Sequence, residues 1–145
     1  MITTVKQLLN TRHRGIIAVT PDTLVIDAIK VMSDRKVGAL AVLEHGKLVG
    51  ILSERDYTRK VVINNKHSSD TPVMDIMTTE VKTVSLCQTI EECMIIMSDN
   101  HIRHLPVLDG DKPVTVISIM DVLKNIINEK EFIIEQLEHY ITDTA

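Results

Sequence analysis

Two short segments of the sequence each carry a serine and an aspartate three residues apart, directly after an apolar run. The first segment holds Ser53 and Asp56, and the second holds Ser118 and Asp121. A helix that begins at such a serine has unpaired N–H groups and partial positive charge at its start, which favour an anion such as phosphate. The aspartate offers two acceptor oxygens, which suit the vicinal hydroxyls of a ribose. The same spacing is also typical of an ordinary helix cap, so both interpretations stay open at this point.

These two segments occupy equivalent positions in an internal repeat. A shift of 65 residues lays residues 19–62 over residues 84–127 without a gap, and 11 of the 44 pairs are identical. Each copy predicts the order strand–helix–strand–strand–helix, with Thr23 as a candidate cap of the first helix. An apolar leader precedes each copy, at residues 5–9 and 73–77. The predicted strands are residues 16–19, 39–43, 48–52, 81–84, 104–108 and 114–117.

The repeat also predicts the architecture. A unit of about 60 residues buries too little surface to be stable alone. We therefore expect an α+β fold in which the two β-α-β-β-α copies pack face to face by pseudo-two-fold symmetry. The polar residues 64–72 are typical of an exposed linker between them. The predicted divisions are residues 1–70 for the first repeat with its leader, 71–130 for the second, and 131–145 for a C-terminal helix extension.

The C-terminal helix is longer than the repeat requires. Apolar residues continue at three- and four-residue spacing from Asp121 to about Ile141. One interpretation is an amphipathic helix lying on its own domain. The other is a dimer contact, and the sequence leaves the choice open.

Composition excludes several functions. The 145 residues carry a formal net charge of −4, and aromatic residues make up only 2 %. Nucleic-acid binding through basic or aromatic surfaces is therefore not expected. No apolar run reaches 18 residues and no signal peptide is evident, so we predict a cytoplasmic protein without membrane association. Cys87 and Cys93 predict neither a disulfide framework nor a zinc site, and Cys93 is expected to be a small core residue.

The repeat, the two Ser-x-x-Asp turns and the segment at residues 102–107 (IRHLPV) resemble a tandem pair of CBS domains, a family named after cystathionine β-synthase. Nearly the whole chain is covered, and the likeness is greatest to small stand-alone bacterial members. The resemblance implies a disc-shaped regulatory module with a central cleft for AMP, ADP, ATP, NAD or S-adenosylmethionine. It also implies a homodimer and a regulated partner protein whose identity leaves no trace in the sequence. No catalytic cofactor and no metal are expected.

The resemblance implies two symmetric ligand sites. In one, Asp121 holds the ribose, Ser118 lies near the phosphate, and Met120 either crowds the cleft or packs on the adenine. Related proteins usually carry glycine where this chain has Thr115, and often where it has Met120. The residues implied around the adenine of this site are Thr20 and the backbone of Val37, Gly38 and Ala39.

The second implied site is the counterpart of the first. Asp56 holds the ribose with Ser53 beside it, and Arg55 and Arg59 are further phosphate candidates. Arg103 suits phosphate oxygens as a permanent planar cation, and His104 adds charge below about pH 6.5. The second repeat contributes Thr83 or Ser85, together with Ile102, Arg103 and His104.

Three classes of function remain in view. A regulatory module that senses an adenine nucleotide agrees best with the paired turns. An enzyme is not expected, because the sequence has no Walker-type phosphate loop and no zinc-ligand pair. The third is a structural or interaction module with empty clefts, which acts through its dimer and its C-terminal helix.

Overall fold

Each half of the chain forms a three-stranded sheet of the same topology, which confirms the duplicated α+β fold. In the computed structural model, which describes residues 2–12 and 15–144, the first strand of each sheet runs parallel to the second and the second antiparallel to the third. The strands are β1 (Ala18–Val19), β2 (Ala39–Glu44) and β3 (Lys47–Ser53) in the first sheet, and β4 (Val84–Ser85), β5 (His104–Asp109) and β6 (Lys112–Ser118) in the second.

Helices follow the strands in the predicted order, with short irregular turns between them. The third helix is only three residues long and continues as a π-helical segment, Tyr57–Val62. A single 3-10 turn, Val73–Asp75, begins the second leader. The α-helices are α1 (Val5–Arg12), α2 (Val25–Arg35), α3 (Glu54–Asp56), α4 (Ile90–Asn100) and α5 (Ile119–Thr144).

Two local predictions are wrong in detail. The first strand of each repeat is shorter than predicted, with only two residues, Ala18–Val19 in the first repeat and Val84–Ser85 in the second. Thr23 does not cap α2, since the N-cap position is Leu24 and the Thr23 hydroxyl lies 3.0 Å from that of Thr20. In the second repeat, Thr89 does cap α4, and Glu92 returns the contact in a capping box.

Each of the two leaders packs on the repeat that it does not precede in sequence. Val5 and Leu8 of α1 are buried in the core of the second repeat, whereas Val73 and Ile76 are buried in the core of the first. Backbone hydrogen bonds fix both exchanges at equivalent points, from Val5 N to Gln88 O at 2.8 Å and from Val73 N to Thr23 O at 2.8 Å. Each half therefore completes its hydrophobic core with a segment that the sequence places before the other half.

Cys93 is a core residue, as predicted. Its side chain has no exposed surface and packs in the core of the second repeat. Burial, with a smaller contribution from the neighbouring Glu92 carboxylate, raises the pKa of the Cys93 thiol to about 11. The thiolate that would react with an electrophile is therefore strongly disfavoured at neutral pH. Cys87 is exposed.

Helix α5 packs on its own domain only in its first turns. Its first turns pack on the second repeat, where Val122 is fully buried and Ile119 and Ile126 are half-buried. The hydroxyl of Thr3 donates to the carboxylate of Glu129 at the point where α5 leaves the domain. Beyond that point the helix does not lie on its own domain, since residues 131–142 are all exposed.

Candidate functional site

A cleft lies between the two repeats, where β2 and β3 approach β6. It has two halves, one beside Asp56 and one beside Asp121, and Gly38 and His104 line both. Residues of both repeats line each half. A ligand in either half would therefore contact both copies of the repeat.

The half beside Asp56 is small, at about 200 Å³. Both carboxylate oxygens of Asp56 already have partners within the chain. Oδ2 accepts the backbone N–H of Ser53 at 2.9 Å, in a capping box at the start of α3. Oδ1 lies 3.2 Å from Nζ of Lys60 and accepts the hydroxyl of Thr78 at 3.3 Å. Lys60 is held in turn by the backbone carbonyl of Ile76, 2.9 Å from Nζ.

Arg55 contacts the other repeat. Its guanidinium donates from Nη1 to the backbone carbonyl of His101 at 2.7 Å. His101 adopts the left-handed conformation that ends α4, and the arginine satisfies a carbonyl at that end. Arg55 lines the Asp56 half while its charge serves this bridge between the repeats.

The half beside Asp121 is larger, at about 830 Å³, which lies within the range of small-molecule pockets. Oδ2 of Asp121 accepts the backbone N–H of Ser118 at 2.8 Å and its hydroxyl at 3.0 Å, so Ser118 and Asp121 also form a helix cap. Among residues 2–12 and 15–144, no hydrogen bond or ion pair to Oδ1 of Asp121 is found. The position equivalent to Lys60 is Asn125, which carries no charge.

The charges that line the two halves differ. Beside Asp121, the two lysines Lys36 and Lys124 stand against one aspartate, a formal charge of +1 with His104 neutral. Beside Asp56, three cations stand against three carboxylates, a formal charge of zero. The Asp121 half is therefore the more favourable for an anion. The charged residues of the Asp56 half are Arg55, Lys82, Arg103, Glu54, Asp56 and Glu80.

The two departures from the family pattern have different structural roles. Thr115 is buried, and its hydroxyl donates to the carbonyl of Gly15 at 2.9 Å. A Cβ at its counterpart Gly50 would lie 2.5 Å from Sδ of Met77 and 3.1 Å from the backbone carbonyl of Thr78, so a side chain there would require Met77 to move. Met120 is 56 % exposed and lies at the rim of the Asp121 half.

His104 lies against the backbone of Gly38, between the two halves of the cleft. A Cβ on Gly38 would lie 3.3 Å from Cε1 and Nε2 of the imidazole. The histidine ring therefore occupies part of the space that the missing side chain provides. Burial lowers the pKa of His104 below its ordinary value of 6.5, and Arg103 and Arg55 lower it further, although Glu54 and Asp121 act in the opposite direction. The ring is therefore neutral at pH 7.

The lowered pKa of His104 predicts a pH-dependent stability. The unfolded chain takes up this proton near pH 6.5, before the folded protein does, so the free energy of unfolding falls as the pH drops below about 6.5. One proton accounts for a slope of at most about 1.4 kcal/mol per pH unit. We expect His104→Gln to reduce this slope in urea titrations between about pH 7 and 5. His139→Gln, at an exposed histidine, is the matched control, and an unchanged slope in His104→Gln would contradict the prediction.

The structure brings most of the predicted ligand residues to the cleft. Val37, Gly38, Ala39, Ser118, Met120 and Asp121 line one half, and Ser53, Arg55, Asp56, Ile102, Arg103 and His104 line the other. Thr20, Thr83 and Ser85 are not among the residues that line either half. The hydroxyl of Thr20 donates to Asp22, and that of Ser85 lies 3.2 Å from Sγ of Cys87.

Sequence reasoning missed Lys36, Lys124, Lys60 and Thr78. Lys36 follows α2 in a left-handed conformation, and Lys124 lies one turn after Asp121 on α5. A search for cations one turn after each aspartate would have found Lys60 and Lys124. Thr78 belongs to no motif, because an isolated bridge between Ile51 and Thr78 brings it to the site.

The fold and the cleft define an internally duplicated α+β module whose two halves share one central cleft. The family model for the CBS domain matches residues 5–63 and 73–128. The chain belongs to the CBS-domain family.

Curated relatives agree with this assignment. The mitochondrial CBS domain-containing protein CBSX3 of Arabidopsis thaliana is 38 % identical over 127 residues, which are 84 % of this chain and 62 % of the relative. This chain thus spans less than two thirds of that protein. The CBS domain-containing protein YhcV of Bacillus subtilis is 27 % identical over 124 residues, which are 86 % of each chain.

Solved structures share the fold. A putative signal-transduction protein with CBS domains from Burkholderia ambifaria is 44 % identical with a TM-score of 0.84, over 87 % of this chain and 95 % of that one. The CBS domain pair of protein MJ0100 is 25 % identical with a TM-score of 0.79, over 89 % and 99 %. That structure is a complex with 5′-methylthioadenosine and S-adenosyl-L-methionine.

No helix within the described residues of this chain combines the length and apolarity needed to cross a bilayer.

Proposed function

We propose that this protein is a non-catalytic regulatory module that binds an adenine nucleotide in the Asp121 half of its cleft. The observation that carries the proposal is the carboxylate of Asp121, which borders a cavity of about 830 Å³ and has one oxygen outside the helix cap. A ribose hydroxyl would donate to that oxygen. At Asp56 the equivalent oxygen already has two donors from this chain, the ammonium of Lys60 and the hydroxyl of Thr78.

The phosphate is assigned to the two lysines of this half. Lys36 and Lys124 come from opposite repeats and line the same cavity. A phosphate between them would gain two charge-assisted contacts. The start of α5 adds the partial positive charge of a 26-residue helix. These features favour an anionic nucleotide such as AMP, ATP or NAD over neutral adenosine.

The adenosine half of the ligand is supported by the MJ0100 domain pair. Both ligands named for that complex contain adenosine, although neither carries a phosphate. S-adenosylmethionine carries a sulfonium cation, which the lysines of the Asp121 half would repel. The proposed preference for phosphate therefore separates this chain from that relative.

Regulation would follow from the position of the cleft between the repeats. A ligand held by Asp121 of the second repeat and by Lys36 of the first stabilises one spacing of the two halves. That spacing is the signal that a regulated partner protein would read.

Calorimetric titration with AMP, ATP, NAD, S-adenosylmethionine and adenosine tests this proposal. We expect at least one phosphate-bearing nucleotide to bind more tightly than adenosine and S-adenosylmethionine. The double variant Lys36→Met, Lys124→Met should lose roughly 3–10-fold in affinity for that nucleotide and none for adenosine, because both lysines are solvent-exposed cations. Lys82→Met removes a cation from the other half and should bind as the unmodified protein does. Equal binding of adenosine and every nucleotide, or no binding in ligand-free protein, would overturn the proposal.

A further inference from the structure

The two halves of the cleft differ in how the chain after a leader meets the last strand of a sheet. Beside Asp56, the chain that leaves the second leader lies against β3. Ile51 and Thr78 exchange two backbone hydrogen bonds there, one from Ile51 N to Thr78 O at 3.0 Å and one from Thr78 N to Ile51 O at 2.9 Å. Gly50 permits this approach, since a Cβ on Gly50 would lie only 3.1 Å from the carbonyl oxygen of Thr78. The chain therefore closes onto β3 in this half, whose volume is about 200 Å³.

In the larger half a side chain takes the place of this backbone pair. The equivalents of Gly50 and Ile51 are Thr115 and Val116 of β6. Within the part of the chain that the structure describes, no backbone hydrogen bond joins Val116 to the segment that follows α1. The hydroxyl of Thr115 donates to the carbonyl of Gly15 at 2.9 Å, and this half has a volume of about 830 Å³.

Thr115 is suited to act as a spacer between the repeats. Its side chain is only 6 % exposed, so the hydroxyl would be costly to leave without an acceptor. A β-branched side chain is also stiff about its first torsion angle. Thr115 belongs to the second repeat, whereas Gly15 lies shortly before β1 of the first, 100 residues earlier. The hydrogen bond therefore links the two repeats at this edge of the cleft.

The segment that Thr115 holds forms one wall of the larger half. Gly15 and Ile17 line this half together with Thr115. The carbonyl of Ile17 accepts the backbone N–H of Ala41 of β2 at 3.3 Å, so one end of the wall is held by the first sheet. The other end is held by β6 through Thr115. The position of the wall, and with it the width of this half, depends on both contacts.

We propose that Thr115 keeps the larger half of the cleft open to a ligand by holding the wall of Gly15 and Ile17 away from β6. Glycine at this position, as in the first repeat, would let the wall approach β6 as Thr78 approaches β3. Thr115 is therefore a positioning residue, which acts through the wall and determines which half accepts the ligand. That this ligand is an adenine nucleotide rests on the proposed function.

Crystal structures of ligand-free protein test the position of the wall directly. In Thr115→Gly we expect Gly15 and Ile17 to lie closer to β6, and the cavity to be smaller, than in the unmodified protein. Thr115→Ser retains the hydroxyl and should leave both unchanged. A wall in Thr115→Gly that superimposes on that of the unmodified protein within coordinate error would overturn the proposal, whether or not a nucleotide binds.

Calorimetric titration measures the consequence for binding. Thr115→Gly should lose roughly 3–10-fold in affinity for whichever of AMP, ATP and NAD the unmodified protein binds, the size of about one hydrogen bond. The same loss is expected for adenosine, because the wall does not act on the phosphate. The double lysine variant, in contrast, should lose affinity for the nucleotide alone. Thr115→Ser should bind within about 2-fold of the unmodified protein.

Thr71→Gly is the matched control for a purely structural effect. Thr71 is also 6 % exposed, and its hydroxyl donates to the backbone carbonyl of His67 at 2.7 Å. It is not among the residues that line either half of the cleft. Both glycine variants should lower the midpoint of thermal unfolding. Only Thr115→Gly should weaken binding at a temperature where circular dichroism shows that every protein is folded.

The outcomes distinguish the role of Thr115 from the proposed function. If ligand-free unmodified protein binds none of these compounds, the proposed function fails, and the crystal structures alone decide whether Thr115 holds the wall. If it binds a nucleotide, an unchanged affinity in Thr115→Gly or an equal loss in Thr71→Gly would overturn the role of Thr115 and leave the proposed function in place.

Discussion

Replacing Asp121 by alanine is expected to lower the affinity for the proposed nucleotide ligand by roughly 10–100-fold, the size of one or two lost hydrogen bonds to a charged group. The carboxylate borders the larger half of the cleft, and one of its oxygens has no partner among the described residues. The substitution removes the acceptor that we propose for the ribose and leaves Lys36 and Lys124 in place. Calorimetric titration of the nucleotide into the purified variant measures the change directly.

Asp56→Ala is the matched control. Both aspartates accept the backbone N–H of a serine three residues earlier, so both variants lose this hydrogen bond to a charged group, worth about 1.5–3 kcal/mol, and keep the serine that caps the helix. Asp56→Ala also leaves Lys60 and Thr78 without their carboxylate partner and should be the less stable of the two. Only Asp121 is expected to contact the ligand, because Lys60 and Thr78 hold the carboxylate of Asp56. Binding that is lost in Asp56→Ala and retained in Asp121→Ala would place the ligand in the other half of the cleft.

The second large effect is expected at Leu8, in the exchanged leader. Leu8→Ala should lower the free energy of unfolding by about 2–5 kcal/mol, because it leaves a cavity at a side chain that is only 3 % exposed. The loss of stability should be located in the second repeat, although Leu8 precedes the first repeat in sequence. Denaturant unfolding measures the size, and amide hydrogen exchange locates the effect in β5 and β6.

Two comparisons make this prediction specific. Ile76→Ala, at the equivalent place in the other leader, should weaken protection in β2 and β3 instead. Asn10→Ala, at an exposed residue of α1, should change stability by no more than about 0.5 kcal/mol. Loss of protection in β2 and β3 of the Leu8→Ala protein would show that the leader serves the half that follows it in sequence.

Much of the fold could be predicted because the chain states its pattern twice. The alignment of residues 19–62 with 84–127 predicts two equivalent sheets, and the turns at Ser53 and Ser118 lie at matching strand ends. The apolar spacing of α2 and α4 likewise set their buried faces. At each of these places the local hydrophobic pattern and the internal repeat predict the same structure, and the tertiary contacts agree with both.

The remaining features depend on contacts between residues far apart in sequence. The leaders gave only a short apolar run, and nothing local says that Val5 bonds to Gln88 and not to its own repeat. The state of Asp56 depends on Thr78, 22 residues away, and on Lys60, whose ammonium is also held by the carbonyl of Ile76. The turns at Ser53 and Ser118 have the same sequence pattern. Within the described residues, however, both carboxylate oxygens of Asp56 have partners, whereas only one oxygen of Asp121 has.

The exchange of leaders has a consequence for how such a chain can be divided. Cutting the chain at the exposed residues 64–67 would not release two self-sufficient folding units, because each piece would carry the leader that the other requires. A lone half could complete its core only by receiving the leader of a second half. Two separate halves would thus be expected to associate by trading leaders, and a single chain that joins them keeps the same exchange.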